Sequence, residues 1–322
     1  MTPPAAAPPP TSTTLVVRVP FDAAATLAYL ATHVVPGVEL LTTDPADPTA
    51  GTVERLVPDG EGGVARLVVH LADDEVRAHV VPTASGRAGW TRERVGELLA
   101  RWFGLADDLA DAVAHLRDDE VLAPFVAARP RLRVPGHVDA IEVAAQTVLG
   151  QQVSLAAART FTGRLAEALG TVHAGGLTLF PTAAQIADAD PGELRAALRV
   201  PASRSRTLVG LARACADGLD LHATDDPAGT RARLLALPGI GPWTADYLAL
   251  RATGLRDVLP AGDLVLRQAL GLDKPRDVEA RARAWSPWRA YAAQHLWSGT
   301  VLARLTRAAS PARPRSTARR GS

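Results

Sequence analysis

Two glycines one residue apart, in Leu237-Pro238-Gly239-Ile240-Gly241, run directly into Pro242-Trp243-Thr244 and constrain this chain more than any other stretch. Glycine lets the backbone turn tightly and leaves its N–H open to close approach, while proline suits the first position of a helix. The run therefore predicts two helices joined by a short hairpin, the second starting at Pro242. The first N–H groups of a helix have no partner inside it, and the macrodipole adds partial positive charge, so such a start favours a phosphate. A Gly-x-Gly turn is also a common structural connection, and its surroundings must decide between the two readings.

Beyond the hairpin helix a lone carboxylate, Asp263, follows Pro260-Ala261-Gly262 and precedes Leu-Val-Leu-Arg. Locally it reads as a helix N-cap accepting backbone N–H bonds. A helix start also favours the ionised form of a carboxylate, which is the form needed beside a reaction that builds positive charge. Asp246 and Asp257 are the rival carboxylates. Of the nine Trp and Tyr residues, six (Trp243, Tyr247, Trp285, Trp288, Tyr291, Trp297) fall between 243 and 297. Core packing is the ordinary role of such rings. Trp243 and Tyr247 are four apart and share a helix face. On the last helix Trp288, Tyr291 and His295 fall together while Trp297 points roughly opposite, so one set can fill the core while Trp297 faces something else.

Together these residues carry a resemblance. The run from Leu234 through Asp263 resembles the helix-hairpin-helix motif of a DNA glycosylase superfamily, with its trailing Gly/Pro-rich loop and aspartate. Within it the chain is most similar to bacterial 3-methyladenine-DNA glycosylase II (AlkA-like) enzymes: Pro-Gly-Ile-Gly-x-Trp-Thr-Ala-x-Tyr, then Asp-Val-x-Pro-x-x-Asp at 257 to 263, then Trp-x-Pro-Trp-Arg-x-Tyr-Ala-x-x-His-x-Trp at 285 to 297. The likeness extends over roughly residues 14 to 305 and is weakest before Val138.

The resemblance makes Asp263 the catalytic carboxylate and places Trp243, Tyr247 and Trp297, with Tyr29 from the first helix, around a flipped base. Ring methylation makes a purine cationic, so electron-rich rings could select it by cation–π attraction, and such a base is already a good leaving group. Bifunctional members carry a Schiff-base lysine where Trp243 stands; the only lysine here, Lys274, lies elsewhere. The implied enzyme is monofunctional and activates water. Gly239, Ile240, Gly241 and Thr244 would hold one phosphate, and Ser203 and Arg204, at the start of another helix, a second. Gln151 and Gln152 would form the wedge that fills the gap left by the extruded nucleotide. The bacterial pattern has leucine at position 152, so the polar Gln152 is a departure. The implied partner is double-stranded DNA with damaged bases, met by a monomer. No side-chain metal site is implied, although hairpin carbonyls could take a monovalent cation. Two competing readings are a non-catalytic helix-hairpin-helix DNA-binding module, which has no need of Asp263 or an aromatic pocket, and a glycosylase for deaminated purines.

Composition bounds the rest. A chain of 322 residues exceeds one compact core, and 47% hydrophobic residues support a full interior. The single cysteine, Cys215, excludes an internal disulfide and any four-cysteine zinc or iron–sulfur site. Residues 1–13 lack a basic start and a long apolar run and read as a disordered leader, not a signal peptide, which predicts a cytoplasmic protein with no membrane span. Residues 1–130 hold 10 Arg against 18 Asp and Glu, and the remainder 25 Arg and Lys against 16, so the second part is the polyanion-binding candidate.

Along the chain, alternation at 14–19, 52–56, 64–71 and 76–81, with a helix after Asp22, predicts an N-terminal α+β domain over 14–88, an antiparallel sheet with a helix on one face. Helical periodicity from residue 91 onward predicts an all-α region of two helical subdomains over 89–307, including helices at 118–128, 242–252, 264–270 and 287–303. A basic disordered tail is expected over 308–322.

Overall fold

A computed structural model of the chain describes residues 12–60, 62–83, 90–173, 175–222 and 225–309, with side chains through residue 299. The chain opens with β1 (Thr13–Arg18), α1 (Ala23–His33), β2 (Glu39–Asp44), β3 (Asp47–Pro58), β4 (Val64–Ala72), β5 (Glu75–Pro82) and α2 (Arg92–Phe103). The five strands form one antiparallel sheet in the order β1-β5-β4-β3-β2. Alternation in β4 and β5 turns Ala65, Leu67, Val69, Leu71, Val76, Ala78 and Val80 inward, where they meet Leu27 and Leu30 of α1 and Leu98, Leu99 and Phe103 of α2. Gly51 marks the closest approach of α1 to the sheet, since a Cβ there would lie 2.6 Å from Leu27 Cδ2.

Four strands are expected from the sequence and five form. The missed β2 is an edge strand whose side chains are mostly exposed, so it lacks the alternation of a half-buried strand. Pro45 and Pro48 read as breakers, yet Pro48 lies inside β3, where the register to β2 shifts at Thr43/Asp44 and the ladder does not need its missing N–H. Thr13, assigned to the leader, opens β1; the rest of the leader through residue 11 lies outside the described residues.

The helical region comprises α3 (Leu109–Leu116), α4 (Ala123–Ala128), α5 (Ala140–Leu149), α6 (Leu155–Leu169), a two-residue ribbon β6 (Thr171–Val172) and β7 (Thr178–Leu179), α7 (Ala183–Asp188), α8 (Pro191–Leu198), α9 (Ala202–Ala216), α10 (Pro227–Leu235), α11 (Pro242–Arg251), α12 (Leu264–Leu270), α13 (Pro275–Ala282) and α14 (Arg289–Ala309). The expected helix over 118–128 is shorter, because Asp119 folds back to accept from the Val121 and Leu122 N–H groups before α4 begins. The helix α14 runs into the expected tail, of which 310–322 lie outside the described residues.

Two helical cores form. One joins α5 through α11. The other joins α3 and α4 to α12, α13 and α14, so its two halves lie more than a hundred residues apart in sequence. Aspartates of the acidic first part dock on the second: Asp107 accepts from Tyr291 Oη at 2.8 Å and pairs with Arg256, while Asp119 accepts from Trp285 Nε1 at 2.8 Å and pairs with Arg281. Part of the basic excess after residue 130 is thereby spent inside the fold. The sheet is clamped to α5 by Arg55 of β3, which reaches Glu39 at 2.6 Å and Glu142 at 2.5 Å, all three buried or nearly so. The connecting segment is stitched on both sides, with Gly136 N–H donating to Trp102 O and His137 bonded to Ala252 O.

Two buried imidazoles make stability depend on pH. Burial pushes His137 and His295 down to about 4, against ~6.5 in an unfolded chain. The folded state keeps both neutral while the unfolded chain takes up protons, so their contribution is complete above about pH 6.5 and is lost as pH falls through 4. Urea unfolding should show stability dropping between pH 7 and 4.5, and His295→Leu should remove about 1–3 kcal/mol of that drop. An unchanged acid limb would show that His295 protonates freely in the fold.

Candidate active site

The hairpin lies between α10 and α11. Gly239 has φ +88°, and a Cβ there would stand 2.0 Å from Thr207 Oγ1 on α9, so both backbone and space demand glycine. Gly241, the N-cap of α11, has extended backbone and nothing within 4 Å of a notional Cβ. Both α11 and α9 start without a capping side chain. By contrast Asp139, Ser154, Thr182, Asp190 and Asp226 cap α5, α6, α7, α8 and α10. The two helix starts singled out for phosphate therefore keep their first N–H groups unclaimed by any cap.

Several side chains expected to touch DNA make bonds within the protein. Gln151 Nε2 donates to Gly239 O and to Thr244 Oγ1, each at 3.0 Å. Arg204 donates to Gln151 O at 2.6 Å, and Thr207 Oγ1 to Pro238 O at 3.0 Å. Ile240 is 6% exposed and packs in the first helical core, and Thr244 is buried. For Ile240 and Thr244 this leaves only the backbone for a ligand. Gln151 and Arg204 brace the turn between α5 and α6 against the hairpin. Gln152 stands apart: exposed, at φ +55°, it forms the tip of that turn beside the exposed Val153 and Leu155, and Ser203 is exposed on the first turn of α9. Cross-helix bonds of this kind leave no trace in local sequence.

Asp263 caps α12 as expected, Oδ1 accepting from Val265 N–H at 2.9 Å and Leu266 N–H at 3.0 Å. Two indoles complete its shell: Trp297 Nε1 donates to Oδ1 and Trp243 Nε1 to Oδ2, each at 3.0 Å. Oδ1 thus takes three donors and Oδ2 one, which leaves Oδ2 with acceptor capacity to spare. The rival carboxylates are neutralised, Asp246 by Arg231 at 2.6 Å and Asp257 by Arg289 at 2.5 Å. Asp263 has no cation within ion-pair distance among the described residues.

Trp243 stacks on Tyr247 at 5.3 Å with planes 21° apart, and Tyr247 meets Trp297 at 5.9 Å. As helical periodicity predicts, Tyr291 and His295 are buried while Trp297 faces the carboxylate. The ring faces read from the sequence as open to a cationic base are nevertheless already turned on a cation. The guanidinium of Arg251 lies 4.9 Å from the Tyr29 ring, 5.1 Å from Trp297 and 5.6 Å from Tyr247. It is 2% exposed and donates to Pro135 O at 2.7 Å and Gln294 Oε1 at 2.9 Å. Its signal was present in the spacing, since residues 243, 247 and 251 fall on one helix face. Behind it Tyr29 stacks on His33 at 4.1 Å, and burial pushes His33 down to about 4 and Tyr29 upward.

Among the described residues no group of three or more His, Cys, Asp or Glu is placed to hold a metal ion. Cys215 is free, its thiol pushed up to about 11 by burial. No helix of the described residues is long and apolar enough to cross a membrane.

A small antiparallel sheet with helices, then two helical subdomains meeting at a glycine hairpin and a capped aspartate, is the architecture of the helix-hairpin-helix glycosylases. The family model of the AlkA N-terminal domain matches residues 12–139, and that of the HhH-GPD superfamily base excision DNA repair protein matches 145–289. The chain thus carries an AlkA N-terminal domain followed by an HhH-GPD domain. It is 40% identical over 293 residues to a probable bifunctional transcriptional activator/DNA repair enzyme AlkA of Mycobacterium tuberculosis, covering 88% of this chain and 56% of the relative, so it spans about half that relative's length. It is 39% identical over 174 residues to DNA-3-methyladenine glycosylase 2 of Escherichia coli, covering 53% of this chain and 61% of the relative. The 3-methyladenine DNA-glycosylase structure from Archaeoglobus fulgidus shares the fold at a TM-score of 0.70 and 18% identity, over 88% of this chain and 97% of that one. The AlkA N-terminal match reaches past α2, in keeping with the packing of α2 on the sheet and beyond the boundary at 88 read from the sequence.

The two hairpin glycines should respond differently to a methyl group. Gly239→Ala should cost about 1–3 kcal/mol, from strained backbone and the clash with Thr207, while Gly241→Ala should stay within about 0.5 kcal/mol. Thermal and urea unfolding of the two variants checks this; equal losses would contradict the hairpin geometry.

Proposed function

We propose that this chain is a monofunctional DNA glycosylase that excises alkylated purines of the 3-methyladenine and 7-methylguanine type, the first step of base excision repair. The observation that carries the reading is Asp263, a carboxylate with no ion-pair partner among the described residues, held by two backbone N–H groups and two indoles beside the hairpin. A non-catalytic binding module would have no use for that arrangement.

The chemistry follows from charge. As the C1′–N bond breaks, its electron pair leaves with the base and positive charge develops on the sugar. A methylated purine is already cationic and departs neutral, so the protein has little protonation to do. Asp263 stabilises the sugar cation, and Oδ2, with one donor against three on Oδ1, is the oxygen free to accept a proton from the water that forms the new C1′–O bond. Trp243 and Trp297 fix the carboxylate's orientation through their N–H groups.

The duplex would be held by the uncapped starts of α11 and α9 through backbone N–H groups, with Gln152 entering the space vacated by the flipped nucleotide. Its amide can hydrogen-bond the orphaned partner base, which a hydrocarbon wedge cannot. Leu237, Pro238 and Gly239 carbonyls already accept from Ile240 N–H, Thr207 and Gln151, so a cation there would have to share occupied oxygens. The protein would act as a cytoplasmic monomer without a cofactor.

Incubation with methylated duplex and identification of the released bases tests the reading directly. Asp263→Asn should fold and bind DNA while excision falls by at least about a hundredfold, ~2.7 kcal/mol of transition-state stabilisation; near-normal excision by a folded variant would sink the assignment. The strand should remain intact until treated with alkali, and borohydride should trap no protein–DNA adduct, because Trp243 offers no amine and Lys274 is exposed at the head of α13. A trapped adduct would reveal an amine acting as nucleophile.

A further inference from the structure

The rings assigned to the base pocket already surround a cation that belongs to the protein. Tyr29 from α1, Tyr247 from α11 and Trp297 from α14 lie 4.9, 5.6 and 5.1 Å from the Arg251 guanidinium. That group cannot swing away: it is 2% exposed and anchored at Pro135 O and Gln294 Oε1, and its Nε has no partner. Trp243 covers Tyr247 as well, by stacking at 5.3 Å. A ring attracts a cation through its quadrupole. A second positive charge brought to the same rings therefore meets the repulsion of the first at comparable range. Asp263, which accepts from the Trp243 and Trp297 indoles, brings a negative charge to the same seat, so the surroundings of a flipped base carry charges of both signs.

We infer that Arg251 is a specificity-determining residue that cancels the aromatic pocket's attraction for positively charged bases. Resting on the glycosylase reading above, this means that alkylated purines are favoured because they leave easily, not because the pocket binds their charge. Neutral damaged purines of similar shape are admitted as readily, and their slower release reflects chemistry alone.

The test compares single-turnover excision of 7-methylguanine, cationic in DNA, with that of neutral hypoxanthine, by wild type, Arg251→Met and Arg251→Lys. The methionine variant removes the charge at similar length, and the rate ratio should shift toward 7-methylguanine by at least about tenfold. The lysine variant keeps the charge and should keep the ratio within about threefold. A folded methionine variant with the wild-type ratio would overturn the inference. Because a buried arginine can be needed for folding, wild type is also titrated with 7,9-dimethylguaninium and with neutral 9-methylguanine, read by tryptophan fluorescence. The two should bind within about threefold of each other, and a cation binding about tenfold tighter would overturn the inference. Failure of wild type to release any base from methylated or deaminated duplex refutes the glycosylase reading itself, and the fluorescence titration still decides the charge assignment.

Discussion

A guanidinium taken out of water must find partners in every direction, and the site is arranged around that demand at Arg251. Its donors reach the connecting segment at Pro135 and helix α14 at Gln294, and its faces meet rings from α1, α11 and α14. One charge thereby fixes four segments that are distant in sequence, and removing any partner would leave it buried and unsatisfied. The sheet domain is consequently part of the site, because Tyr29 can reach Arg251 only if α1 is held against the helical region. The Glu39–Arg55–Glu142 cluster supplies that hold by tying the sheet to α5.

What was legible in the sequence was local. Glycines at 239 and 241, proline at 242 and the cap at Asp263 each act within a few residues, and each reads correctly as a turn or a helix start. The strands with one buried face announced themselves by alternation, whereas β2, exposed at the sheet edge, had no reason to alternate. The association of α3 and α4 with α12 to α14 was not visible, because it rests on Asp107 and Asp119 reaching partners more than a hundred residues away. The same limit applied to charge. Counting arginines after residue 130 showed a basic half without showing that Arg256 and Arg281 are committed to those aspartates.

The candidate site divides along the same line. Trp243, Tyr247 and Trp297 are gathered around Asp263, and helical periodicity was enough to bring the first two together. That both indoles donate to the one carboxylate could not be read from spacing, because it depends on the relative placement of α11, α12 and α14. The internal bonds of Gln151 and Arg204 were hidden for a related reason. A polar side chain near a helix start looks available for a ligand until the neighbouring helix is known to claim it.

The bonds linking Gln151, Arg204, Thr207 and the hairpin carbonyls join the turn after α5, the start of α9 and the start of α11 into one braced unit. On the function proposed above these would be three contact points, held at set separations by those bonds as the points of a gauge are. On that reading the duplex must do the yielding, and the energy needed to bend it depends on how well its bases stack and pair. A site weakened by damage yields at less cost than an intact one. The stiffness of the protein face would then let mechanical compliance of the DNA mark where a base is worth testing before any base enters the pocket.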